Sequence, residues 1–232
     1  MPAVQTVNGF PYWSQVDYGD TMGGAIKNAG CAPTASAMVL YALGKNTDPQ
    51  KLCNETKGHG WSPNSGASKE TLFPYISKLY DIPIEKITSF DKCCELAKQG
   101  YPIVLDGQKS GGWSSWRERC LSTCYGPAGH YVVLVGMSGN NVVINDPRGI
   151  FSSGIRPRSH ASDGFVCGFK FGNTKFNLSS SEFKQLGSTD GAQSGSNISG
   201  TPGVSADNTS SVDSGFVSVG GGNYTGNTIS VI

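Results

Sequence analysis

Charge is scarce in this chain. Only 15% of its 232 residues are charged, and 18 basic against 17 acidic side chains leave a formal net charge of +1. No basic run gathers them, which excludes nucleic acid as an expected partner. Long apolar runs are missing too. No stretch approaches the roughly 20 residues that span a bilayer, so no transmembrane segment is expected. The opening Met1-Pro2-Ala3-Val4-Gln5 has no basic region followed by an apolar core. No Sec signal is therefore expected, and the chain either stays in the cytoplasm or leaves by another route. Signals for myristoylation, prenylation and retention are absent, and no internal repeat stands out. Histidine is limited to three copies, His59, His130 and His160, which leaves few candidates for a general base.

Cysteine is present in an odd number, seven, so at least one thiol stays unpaired. Cys31 is the natural odd one. Cys93 and Cys94 fall in a predicted helix, and Cys120 and Cys124 on a loop or short helix. A zinc site from Cys93 or Cys94 with Cys120 and Cys124 is an alternative, but the spacing is not that of a ribbon or finger. Reduced structural thiols are the plainer reading for a protein made in a cytoplasm. Neither a metal nor another cofactor is expected.

The run Gly30-Cys31-Ala32-Pro33-Thr34-Ala35-Ser36-Ala37-Met38-Val39-Leu40 places a cysteine where a loop becomes a helix. Ala35, Met38, Val39 and Ala42 recur at helical spacing and predict a buried, amphipathic helix. Pro33 suits its first turn and Gly44 its end. A thiol at a helix N-terminus meets the positive end of the helix dipole, which favours the nucleophilic thiolate. The plain alternative is a small buried thiol.

A base and an acid lie further along. Gly129-His130-Tyr131-Val132-Val133-Leu134-Val135-Gly136 is a strand opened by histidine, Ser138-Gly139-Asn140-Asn141 is a turn, and Asn141-Val142-Val143-Ile144-Asn145-Asp146-Pro147 is a second strand ending in an acid. Paired as an antiparallel hairpin, they bring His130 and Asp146 side by side. Cys31, His130 and Asp146 are then the nucleophile, base and orienting acid of a cysteine triad. His59 and His160 sit in loops with no strand to hold them. Upstream, Phe10-Pro11-Tyr12-Trp13-Ser14-Gln15 offers a side-chain amide. Gln15 is read either as an oxyanion donor beside the Cys31 N–H or as an ordinary polar loop contact.

The order of these blocks, with Gly100-Tyr101-Pro102-Ile103-Val104-Leu105 between them, resembles the papain-like cysteine peptidases related to the bacteriocin-leader (double-glycine) peptidases. The likeness runs over about residues 9–172. It implies Cys31 as nucleophile, His130 as base, Asp146 as orienter and Gln15 as oxyanion donor. The pattern is broken between Asp106 and Gly129 by a long insert carrying Trp113, Trp116, Cys120 and Cys124.

Further helices are predicted from Asp48-Pro49 to Gly58, from Ser68 to about Leu79 with a bend at Pro74, and from about Phe90 to Gln99. Strands are predicted near residues 102–106, 131–136, 142–145 and 165–171. Helices first and an antiparallel sheet after is an α+β order, with an N-terminal nucleophile helix packed on a C-terminal sheet. The expected domain is residues 1–178. Residues 179–232 turn Gly-, Ser- and Asn-rich, with Lys184 the last basic residue, and read as a flexible tail. Within it, Phe216–Val219 and Tyr224–Ile232 alternate as added strands would, docking into an assembly partner such as a virion, or else belong to a plain tail.

The triad implies acyl transfer from a peptide or amide carbonyl through a thioester to water. Three functions follow as expectations. The first is a peptidoglycan hydrolase, acting in a phage tail or in lysis and located in the virion or at the cell wall. It is suggested by the Gly/Ser/Asn-rich tail, the missing signal and exporter portion, and the aromatic insert. The second is a leader-type, protein-processing peptidase. The third, from another class, is a structural virion or assembly protein that keeps the fold without activity.

Overall fold

Gly139 adopts a left-handed φ of 59° and closes a two-residue turn between strands His130–Ser138 and Asn141–Asn145. In this computed structural model, which describes residues 2–188 and the short strands Gln193–Ser194 and Gly203–Ser205, that hairpin lies within a six-stranded sheet. The strand order is Ile84–Ile87, Phe165–Phe171, Ile103–Gly107, His130–Ser138, Asn141–Asn145 and Gly154–Arg156, antiparallel throughout.

Strand geometry sends alternate side chains to opposite faces. Tyr131, Val133, Val135, Val143 and Phe169 join the core of helix Cys31–Ala42. Val132, Leu134, Ile103 and Leu105 join Phe90 and Cys93 of helix Phe90–Lys98 on the other face. A sheet covered on both sides explains why its inner strands read as unbroken apolar runs. The architecture is the mixed helix and antiparallel-sheet class read from the sequence.

Helix Cys31–Ala42 has no polar face, unlike the amphipathic helix its spacing suggests. Ala32 through Leu40 are all buried. The sheet covers one side, while helix Pro49–Thr56 and strand Phe10–Tyr12 cover others. Asp48 caps Pro49–Thr56 by accepting the Lys51 N–H at 3.0 Å. Helix Lys69–Tyr80 carries Pro74 without ending there.

An N-terminal hairpin, Gln5–Val7 with Phe10–Tyr12, adds to the elements expected from the sequence. Asn8 and Gly9, at φ 56° and 71°, supply its turn; both positive values are what a two-residue type I′ loop requires. The buried Asn8 amide donates to Asn145 Oδ1 at 2.7 Å and to the Ile144 carbonyl at 3.2 Å. Asn145 Nδ2 returns a bond to the Val7 carbonyl at 3.0 Å. The start of the chain is thus sewn to the strand that ends in Asp146.

Past residue 178 the chain stays on this body as far as Ser188. Phe183 packs against Gly136, and the Lys184 N–H donates to Asn8 Oδ1 at 3.0 Å. Strands Gln193–Ser194 and Gly203–Ser205 pair with Gln5–Val7 and Lys175–Asn177. Phe216–Val219 and Tyr224–Ile232 lie outside the described residues. Among the described residues, no helix is long and apolar enough to cross a membrane.

Candidate active site

The short helix Ala25–Ala29 runs directly into Cys31–Ala42 through Gly30. The Gly30 N–H donates to the Ile26 carbonyl at 2.8 Å. A Cβ on Gly30 would stand 2.4 Å from that oxygen, so glycine alone permits this close junction. No side chain caps the second helix, so its leading N–H groups are open to the thiol. Cys31 is partly exposed, whereas the other six cysteines are buried, and all seven are free.

Burial pushes the Cys31 thiol up. The hydrogen bond and charge of His130, with the N–H groups of Tyr131 and Ala32, outweigh burial and bring it below the ordinary thiol range. Cys53 shows the contrast: burial drives its thiol well up, with no counterweight.

His130 opens its strand opposite Gly107 and is 6% exposed. Its Nε2 lies 2.7 Å from Asp146 Oδ1. With Nε2 given to the carboxylate, Nδ1 is the ring nitrogen left for Cys31, so the ring can accept the thiol proton there. Burial lowers the imidazole's basicity, and Arg148 opposes its charge. The Asp146 carboxylate and the Cys31 hydrogen bond prevail and raise it above the ordinary histidine value.

Asp146 is fully buried. Burial alone would raise its carboxyl, but Arg148 first and His130 second hold it far below the usual carboxylate range. Arg148 donates Nη2 to Oδ2 at 2.7 Å, Nε to Oδ2 at 3.0 Å and to Oδ1 at 3.2 Å, and its backbone N–H to Oδ1 at 2.9 Å. The same Nη2 reaches the carbonyls of Thr123 at 3.0 Å and Cys124 at 3.1 Å. Arg156, also fully buried, places Nη2 3.8 Å from Asp146 Oδ2 and 2.7 Å from the Cys120 carbonyl. No motif marks these two arginines as buried. An Arg that follows Asp-Pro reads as a surface residue, and only the packing of the insert over it creates the burial.

The structure therefore brings Cys31, His130 and Asp146 together. Gln15 is 6% exposed, in a 3₁₀ turn, Gln15–Tyr18, capped by Ser14. Its Nε2 donates to the Lys27 carbonyl at 2.7 Å, four residues before Cys31, and its Oε1 is buried with no hydrogen-bond partner among the described residues. The other histidines lie on other elements, and the buried His160 Nδ1 has no hydrogen-bond partner among the described residues. His59 stacks on Tyr75 with ring centroids 4.3 Å apart, and the His160 carbonyl accepts the Cys124 N–H at 2.8 Å.

Within the insert, helix Trp116–Ser122 is capped by Ser115. Trp116 is 48% exposed and meets Phe151 edge-on at 5.3 Å. Cys120 and Cys124 are buried, unbridged thiols. Among the described residues, no group of three His, Cys, Asp or Glu side chains could hold a metal ion.

Residues 7–163 match the Peptidase_C39 like family. Among solved structures, the chain is similar to a C39-like peptidase from Bacillus anthracis, with a TM-score of 0.50 and 18% identity over 72% of this chain and 96% of that one. It is also similar to the peptidase domain of Streptococcus ComA, a bifunctional ABC transporter involved in quorum sensing. There the TM-score is 0.48 and the identity 16%, over 62% and 90% of the two chains. At these identities the likeness is one of fold. No curated protein matches the chain.

Proposed function

The chain belongs to the Peptidase_C39 like family, a family of cysteine peptidases, and we propose that Cys31, His130 and Asp146 carry its hydrolysis of peptide bonds. One observation supports this reading above the rest: a buried carboxylate holds the His130 ring by Nε2 at 2.7 Å while the other face of that ring serves the thiol at a helix N-terminus.

Cys31 Sγ attacks the scissile carbonyl carbon as its proton passes to His130 Nδ1. The carbonyl oxygen becomes an oxyanion, received by the Cys31 N–H and by the Gln15 Nε2 hydrogen that Lys27 does not use. Collapse breaks the C–N bond, and His130 protonates the departing amine. A water then gives its proton to His130 and attacks the thioester. The carboxylic acid leaves and the thiol is restored. Asp146 fixes the ring's tautomer throughout.

For the substrate we favour the peptide of peptidoglycan, a stem or cross-bridge. A cavity of about 330 Å³ is lined by Gly60, Trp61, Ser62, Ser65 and Gly66 among others. None of Cys31, His130, Asp146 and Gln15 lines it; its wall has no charged or long aliphatic side chain, which suits a small polar peptide extending away from the triad. Trp61 Nε1 donates to the Ala29 carbonyl at 2.9 Å, two residues before Cys31. A leader-type, protein-processing role uses the same residues and is the second reading, equally compatible with membership of the Peptidase_C39 like family.

The test is digestion of purified peptidoglycan by the intact chain and by Cys31→Ala, with mass spectrometry of the soluble products. Cys31-dependent release of peptides is expected. No release from walls of several chemotypes, by a protein whose Cys31 still reacts with a thiol probe, would transfer the assignment to protein processing. Activity that persists in Cys31→Ala would overturn the mechanism itself.

A further inference from the structure

Arg148 has no part in the proton transfers above, yet its side chain is only 9% exposed. A guanidinium at that depth must have its donors met. They are met by the Asp146 carboxylate on one side and by the Thr123 and Cys124 carbonyls on the other.

A carboxylate held only by His130 could turn about its Cβ–Cγ bond. Here one rigid, planar group binds both of its oxygens, and the Nη2 that binds Oδ2 is itself anchored by two carbonyls. Arg156 does not do this. At 3.8 Å it adds charge without a hydrogen bond to the carboxylate, because its Nε and Nη2 serve the Ser152 and Cys120 carbonyls. The remaining neighbours of Asp146 act on its backbone: its N–H donates to Ser153 Oγ at 2.8 Å, and the Tyr12 hydroxyl donates to its carbonyl at 3.1 Å. The Cys120 and Cys124 thiols are near enough to act on the guanidinium electrostatically.

We propose that Arg148 is a positioning residue, whose two-pronged grip on Asp146 keeps Oδ1 on His130 Nε2 and so keeps Nδ1 on Cys31. The proposal rests on the Cys31–His130–Asp146 reading. It also makes the insert part of the catalytic apparatus, since the turn at Thr123 and Cys124 fixes Arg148. Lysine cannot replace it. An ammonium supplies the charge but not the planar fork.

The experiment is the rate of Cys31 carboxamidomethylation by iodoacetamide against pH, in the full chain, for wild type, Arg148→Lys and Arg148→Gln. Circular dichroism confirms that each variant is folded. In Arg148→Lys the ring loses its alignment. The Cys31 inflection should then rise by about one pH unit, a roughly tenfold slower reaction near pH 6. In Arg148→Gln the His130 inflection should also rise, because the charge that opposes the imidazolium is gone. The Arg148→Gln shift reports charge alone; the discriminating readout is Arg148→Lys, in which a merely structural residue would leave the Cys31 inflection where it is in the wild type.

A folded Arg148→Lys with the wild-type profile would overturn the proposal. So would an Arg148→Lys that cannot fold, since Arg148 would then be a structural anchor. A wild-type Cys31 with no inflection below the ordinary thiol range would instead refute the triad reading and leave the grip on Asp146 unconnected to it.

Discussion

The backbone N–H of Gln15 donates to the carbonyl of Pro147 at 2.8 Å. The candidate oxyanion donor and the candidate acid, distant in sequence, are thus neighbours in one backbone arrangement. Ser14 Oγ donates to the same carbonyl at 3.4 Å, and the Tyr12 hydroxyl to the Asp146 carbonyl at 3.1 Å. The main chain holds Gln15 in place whatever its side chain does.

Gln15→Ala should therefore be a clean catalytic variant. It removes one hydrogen bond, to the Lys27 carbonyl, together with a buried oxygen that has no partner, so stability should change by about 1 kcal/mol or less. Loss of an oxyanion donor should lower kcat by about 10²–10³-fold. Steady-state kinetics and thermal melts on the same preparation check both. A wild-type kcat would reduce Gln15 to a loop contact.

Asp146→Ala should be dominated by stability. It leaves Arg148 and Arg156 buried without their counter-charge, at a cost of about 3–5 kcal/mol, measurable by urea unfolding. Asp146→Asn preserves the shape and is the better probe of the orienting role. The pH dependence has a definite sign. The folded carboxyl lies far below its ordinary value, so its stabilisation is complete above an unfolded value of about 3.9 and is lost as pH falls below it. Wild-type Tm should decline steeply on acidification below about pH 4, and that decline should be shallower in Asp146→Asn. Parallel curves for the two proteins would contradict the assignment.

Gly30→Ala tests the junction that presents the thiol. Its φ of −90° suits any residue, so the effect comes only from the 2.4 Å approach to the Ile26 carbonyl. Forcing a methyl group in should cost about 1–3 kcal/mol and displace Cys31. Alkylation of Cys31 should slow along with the loss of stability. A fully stable and reactive Gly30→Ala would mean that the two helices can separate freely.

Much of the site is legible in the sequence because local rules fix it. Glycine, proline and apolar spacing mark helix Cys31–Ala42, and a turn between two β-branched runs marks the His130–Asp146 hairpin. The N-terminal hairpin was legible as well: Val7-Asn8-Gly9-Phe10 holds the strongest two-residue turn signal, though the flanking strands are only three residues each. Strand Ile84–Ile87 is an edge strand whose middle residues, Glu85 and Lys86, are exposed, and its brevity hides the alternation. Arg148 and Arg156 are a different matter. Their burial depends on the turn after helix Trp116–Ser122 lying across them, a long-range packing event that no spacing along the chain encodes.

The most direct test of the central claim is the pH dependence of Cys31 carboxamidomethylation in the intact chain and in His130→Ala, with every cysteine followed by peptide mass spectrometry. The account predicts that Cys31 reacts well before Cys53, with an inflection below the ordinary thiol value of about 8.5 that returns to that range in His130→Ala. A Cys31 that labels no faster than Cys53, with a profile unchanged by loss of His130, would contradict an activated thiolate and with it the cysteine-nucleophile mechanism.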